Sequence, residues 1–107
     1  MRHLTRTAGW ILLAASTAGI AAAQNSGADI YKAKCLVCHG SAGDGKTPAG
    51  QAMKAASFSS PEVTKQSDAD LATVIRKGKG KMPAWKGALN DDQIKDVLAY
   101  IHTLQQK

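Results

Sequence analysis

Apolar residues recur at three- and four-residue steps along several stretches of this 107-residue chain, and no segment alternates as a strand does. The longest stripe is Ile94, Val97, Leu98, Ile101 and Leu104, one face of a helix that Asn90 and Gln93 can cap together. Upstream, Ser67 and Asp70 form a second capping box, Leu71, Val74 and Ile75 give an i, i+3, i+4 face, and Gly78 is a natural stop. A third pattern joins Ile30, Tyr31, Lys34, Cys35 and Cys38, and Ser26 with Asp29 predicts its start, for a helix from Gly27 to about Val37. Ser60-Pro61 marks a further start, with serine as N-cap and proline in the first helical position. Gln51 to Ala56 suits one or two helical turns, whereas Gly40 to Gly50 and Gly78 to Gly87 read as loops. There is no internal repeat. The predicted fold class is all-α.

The first 23 residues differ from the rest. Arg2 and Arg6 open the chain without an acid, Ala8 to Ala23 is small and apolar, and Ala21-Ala22-Ala23 precedes the polar Gln24-Asn25-Ser26. That sequence of regions predicts a secretory signal peptide over 1–23, cut near Ala23, and export to the periplasm. The apolar run falls short of the ~20 residues that cross a bilayer, so no stable membrane insertion is expected unless the segment stays uncleaved as an anchor. Residues 24–107 then form one domain carrying 12 basic and 8 acidic residues. The excess is mild, and exported chains with so few aromatics rarely meet nucleic acid, which is excluded as a partner. The local cluster Arg76-Lys77-Gly78-Lys79-Gly80-Lys81 suits either solvated surface or the docking of an acidic partner.

A domain this small needs a staple beyond its own apolar residues. The two cysteines stand in Cys35-Leu36-Val37-Cys38-His39, and the overlapping run Gly40 to Thr47 spells G-x-x-x-x-G-K-T. The second pattern would bind phosphate only after a buried strand and before a helix, inside a large α/β domain. Here Pro48 follows Thr47, no strand precedes Gly40, and the chain is too short. The first pattern is chemically specific: two thiols one helical turn apart can reach two vinyl groups on one porphyrin edge, and the next residue offers imidazole to iron. Zinc would want four ligands, and only His102 remains beside this trio after cleavage. A thioredoxin-like pair would want a βαβ setting, and a plain disulfide stays open. For a second axial ligand the candidates are Met53, Met82 and His102. Met53 suits packing and His102 an exposed helix face. Met82, held by Gly78-Lys79-Gly80-Lys81 and Pro83, suits ligation.

With these residues in view the chain resembles a small class I cytochrome c of the bacterial soluble type. Gly27-x-x-x-Tyr31-x-x-x-Cys35-x-x-Cys38-His39 is similar to that family's first helix and haem motif, Lys81-Met82-Pro83-Ala84-Trp85 to its methionine loop, and Leu98-Ala99-Tyr100-Ile101 to its last helix. The resemblance implies three to five helices wrapped around one covalent haem c, with Cys35 and Cys38 as attachment points and His39 and Met82 as iron ligands. It implies that the last helix's aromatic crosses the first helix near Gly27 and Tyr31. It also implies that the Pro48 carbonyl accepts the Nδ1 hydrogen of His39. Trp85 is placed either at a haem edge or in the core. The function so implied is a monomeric periplasmic one-electron carrier, not an enzyme, cycling Fe(II)/Fe(III) and docking redox proteins at the haem edge.

Overall fold

The structure is a computed structural model that describes residue 9 and residues 18–105; the predicted signal segment lies for the most part outside them. Six helices follow in order: α1 (Ala18–Lys34), α2 (Leu36–His39), α3 (Pro48–Met53), α4 (Pro61–Thr64), α5 (Asp68–Lys77) and α6 (Asp91–Leu104). Six exceeds the expected three to five because α2 and α4 are single turns of four residues. Among the described residues there is no strand, only an isolated bridge between Lys79 and Met82.

Local chemistry accounts for the ends. Asn90 Oδ1 accepts from the Gln93 N–H at 2.8 Å while Gln93 Oε1 accepts from the Asn90 N–H at 2.9 Å, so both halves of the α6 capping box form. Ser67 Oγ accepts from the Asp70 N–H at 3.1 Å and starts α5, and Gly78 at φ 74° ends it. Two boundaries differ from expectation. Ser26 starts nothing: α1 already runs from Ala18, because the alanines before it are the strongest helix formers. In turn α3 starts at Pro48 rather than Gln51, with Thr47 as N-cap and proline at N1, the same serine/threonine–proline signature that opens α4.

The core gathers Tyr31, Phe58, Val63, Ile75, Leu89 and the whole α6 stripe from Ile94 to Leu104. Each such side chain contributes about 1.5–3 kcal/mol by leaving water. α1 and α6 cross where Gly27 meets α6: a β-carbon at 27 would run into the Asp96 carbonyl. Glycine therefore lets the backbones touch, and Tyr100 packs on Tyr31 beside the crossing, with ring centroids 5.2 Å apart and planes tilted by 53°. This crossing sets the end of α1, and so the position of Cys35.

Candidate haem site

α1 breaks at Cys35 without leaving the helical path. The Cys35 N–H still donates to the Tyr31 carbonyl at 2.9 Å, and the His39 N–H donates to the Cys35 carbonyl at 2.9 Å. Both cysteines are therefore on one turn, and no disulfide joins them. Burial pushes the Cys35 thiol up to about 11, with Cys38 adding to the shift and Lys34 opposing it. The elements around the pair are helices, and among the described residues there is no βαβ unit, the setting that a thioredoxin-like pair wants. Among the described residues no group of three or more His, Cys, Asp and Glu side chains is placed to hold a metal ion together.

The loop after His39 is tied to this turn. Thr47 Oγ1 donates to the Val37 and Cys38 carbonyls at 2.7 and 3.0 Å and accepts from the Gly50 N–H at 2.9 Å. The Gly45 N–H donates to the His39 carbonyl at 2.9 Å, and Tyr31 Oη donates to the Gly40 carbonyl at 2.6 Å. The apparent phosphate loop is thus a strap around the haem motif, and its Lys46 is exposed. Threonine at 47 was legible as a helix cap; its grip on Val37 and Cys38 was not.

His39 Nδ1 stands 3.1 Å from a carbonyl, but the carbonyl is that of Ala56. Pro48, expected in that role, sits at N1 of α3, where its own carbonyl is directed along the helix. Any residue supplies a carbonyl, so the partner is set by the path of the 40–56 loop and not by a residue type. Because a carbonyl only accepts, Nδ1 must carry the hydrogen, which leaves Nε2 of the neutral ring as the acceptor. Burial lowers the His39 value, and the Ala56 bond opposes it in part. The ring also stacks on Phe58, with centroids 4.6 Å apart and planes 24° from parallel.

Cys35, Cys38 and His39 line one cleft of about 1070 Å³, and Met82 lines it from the loop after α5. That volume lies just above the ~300–1,000 Å³ of ordinary small-molecule and cofactor sites. Val63, Leu71, Val74, Ile75, Leu98 and Ile101 make much of its surface apolar. The methionine loop is laced to the end of α5. Lys79 and Met82 exchange backbone bonds at 3.2 and 3.0 Å, while Trp85 and Lys86 N–H groups donate to the Ile75 and Arg76 carbonyls at 3.0 and 3.1 Å. Those carbonyls belong to the last turn of α5, which lacks partners within the helix. Trp85 packs against the core, lines the cleft, and takes the Lys34 ammonium over its ring at 5.5 Å. Met53 also lines the cleft.

His102 lies away from the cleft, in a smaller groove between α5 and α6. Its Nε2 is 2.7 Å from Asp68 Oδ1 and its Nδ1 is 2.6 Å from Gln105 Oε1. The Gln105 amide is oriented by its other end, since Nε2 donates to the Phe58 carbonyl at 2.9 Å. Both ring nitrogens therefore face acceptors, which favours the charged ring. The Gln105 bond raises its value most, Asp68 adds to it, and burial opposes. A value raised on folding stabilises fully below the unfolded value near 6.5 and is lost as pH climbs through the folded value. Denaturant midpoints should fall as pH rises from the unfolded value near 6.5 through the raised folded value, and His102→Gln should flatten that dependence.

Comparison with known proteins decides what the cleft holds. The family model described as cytochrome C oxidase, cbb3-type, subunit III matches residues 22–101. The chain is 34% identical over 80 residues to the cytochrome c6 of Bryopsis maxima, covering 70% of this chain and 84% of that one. The chain belongs to the cytochrome c family. With the cytochrome c6 of Nostoc sp. it shares 36% identity over 86 residues, covering 80% of this chain and 75% of the relative. A c-type cytochrome of solved structure, KustC0563, superposes with a TM-score of 0.63 at 26% identity, covering 75% of this chain and 94% of that one. As a cytochrome c the protein carries one covalently bound haem c with iron and transfers electrons. The donor set and the apolar cleft fit that group: two thiols on one turn, a neutral imidazole with Nε2 free, and a thioether on the same cleft.

Proposed function

We propose that this cytochrome is a periplasmic one-electron carrier, released from its signal segment near Ala23. In this reading Cys35 and Cys38 form the thioethers and His39 and Met82 are the axial ligands. The observation that carries it is that all four side chains line a single, largely apolar cleft although Met82 is more than forty residues from the motif. When bound, the haem supplies Fe(II)/Fe(III) cycling. The chain keeps the cost of that change low by holding its ligands still. Ala56 orients the imidazole, and the α5-anchored loop holds the thioether. Apolar walls limit water and favour the less charged reduced state, and methionine ligation acts in the same direction. Absorption spectra of the oxidised and reduced holoprotein test the reading. A red-region sulfur-to-iron band in the oxidised form is expected, and rapid carbon monoxide binding by the native protein would overturn it.

Charge distribution supports a partner class. Lys34, Lys54, Lys65, Lys79 and Lys81 line the cleft against a single acid, Glu62. The rest of residues 18–105 carries six basic and seven acidic residues, so the positive excess is concentrated around the site. Redox partners presenting acidic surfaces are drawn to that face. Their association rates should fall steeply as salt rises past about 0.1 M, and a flat dependence in stopped-flow measurements would exclude such steering.

A further inference from the structure

A hydrogen bond at Nδ1 fixes one atom of the axial imidazole but leaves the ring able to swing about that bond. A flat surface against its face limits the remaining freedom. Phe58 supplies one: its ring lies 4.6 Å from the His39 ring, at the close end of the range for aromatic pairs, with planes 24° apart.

Phe58 is itself pinned from several sides. Its N–H donates to the Gly43 carbonyl at 2.8 Å, and its carbonyl accepts from Gln105 Nε2 at 2.9 Å. Tyr31 meets it edge-on at 6.1 Å. Gly43, at φ 71°, has no side chain because a β-carbon there would strike the Phe58 ring. The contacts come from α1, the 40–47 strap and the end of α6, so the ring has little room to move. This is more fixing than a residue that merely fills volume requires.

We propose that Phe58 is a positioning residue for the iron ligand: its face and the Ala56 carbonyl together set the plane of the His39 imidazole. The inference rests on the reading of His39 as an axial ligand. The orientation of that plane governs how the unpaired electron of ferric haem is shared over the porphyrin. It therefore shows in the order and spread of the haem methyl proton resonances.

The test compares the oxidised holoprotein with three variants by proton NMR and by redox titration. Phe58→Leu keeps an apolar side chain of similar size but loses the flat face, and Phe58→Tyr keeps the face. Leu89→Ala opens the core at a buried residue that does not line the cleft. The expected result is a changed methyl order and a shifted midpoint in Phe58→Leu, with the wild-type pattern kept in Phe58→Tyr and in Leu89→Ala. If Phe58→Leu keeps the wild-type pattern while losing stability as Leu89→Ala does, Phe58 is core and the proposal fails. A wild-type spectrum lacking the shifted ring protons of a coordinated histidine overturns both this proposal and the ligand assignment. Their presence with an unmoved Phe58→Leu pattern overturns this proposal alone.

Discussion

Replacing Met82 by alanine is expected to lower the midpoint potential and to open the iron to added ligands. Axial ligands as a class span about 0.8 V, and loss of a thioether should cost a part of that on the order of 0.1–0.3 V. Two effects act together. A thioether stabilises the reduced iron, and the gap left by its removal admits water, which stabilises the oxidised, more highly charged state. The surrounding loop should survive the change. Its bonds run through backbone groups of Lys79, Met82, Trp85 and Lys86, not through the Met82 side chain. Potentiometry with carbon monoxide binding checks the result, and a variant whose spectrum, potential and ligand access match wild type would move the ligand role elsewhere. Met53, on the same cleft, is then the residue to replace next.

The second large effect is expected when Cys35 and Cys38 are both replaced by alanine. Among the described residues ten make up the buried apolar core, and several more apolar side chains face the cleft instead of one another. Phe58, Val63, Ile75, Leu98 and Ile101 do both. Without a covalently retained group these side chains lose their common partner, and a cleft of about 1070 Å³ cannot close by small adjustments. Binding of the group and folding of the chain are thus one event, as in other small domains built around a prosthetic centre. The double variant should show little native helix by circular dichroism and a broad, non-cooperative thermal transition, whereas either single variant should retain haem weakly. A compact, cooperatively melting double variant would show that the ten-residue core suffices.

The elements that could be read in advance were those whose cause is local. The α6 capping box and stripe depend on residues three and four apart, and both bonds of the box and the burial of the stripe are found. The Cys35–His39 motif and Met82 stood out because thiol, imidazole and thioether are chemically particular, and the structure brings all four side chains to one cleft. The Ala56 carbonyl was not legible, since a backbone acceptor carries no residue signature. Its place depends on Gly45 at φ 69° and on Gly50 lying so close to the Cys38 carbonyl that a side chain there would collide. The start of α3 does carry a local signal: Thr47-Pro48 has the same cap-and-proline signature as Ser60-Pro61. Ser26 misled in the other direction, because a capping residue marks a start only where the preceding chain is not already helical.

The strap around the haem motif also bears on the order in which the molecule assembles. Thr47 reaches Val37 and Cys38 across ten and nine residues, and Gly45 reaches His39 across fewer. Closing such short loops costs little chain entropy and takes tens of nanoseconds. The α1–α6 crossing, by contrast, joins Gly27 to Asp96 from opposite ends of the domain and must wait for a far less probable encounter. The turn bearing both thiols can therefore be shaped and presented while the rest of the chain is still searching. Covalent attachment at that stage would recruit the later helices onto a centre already in place.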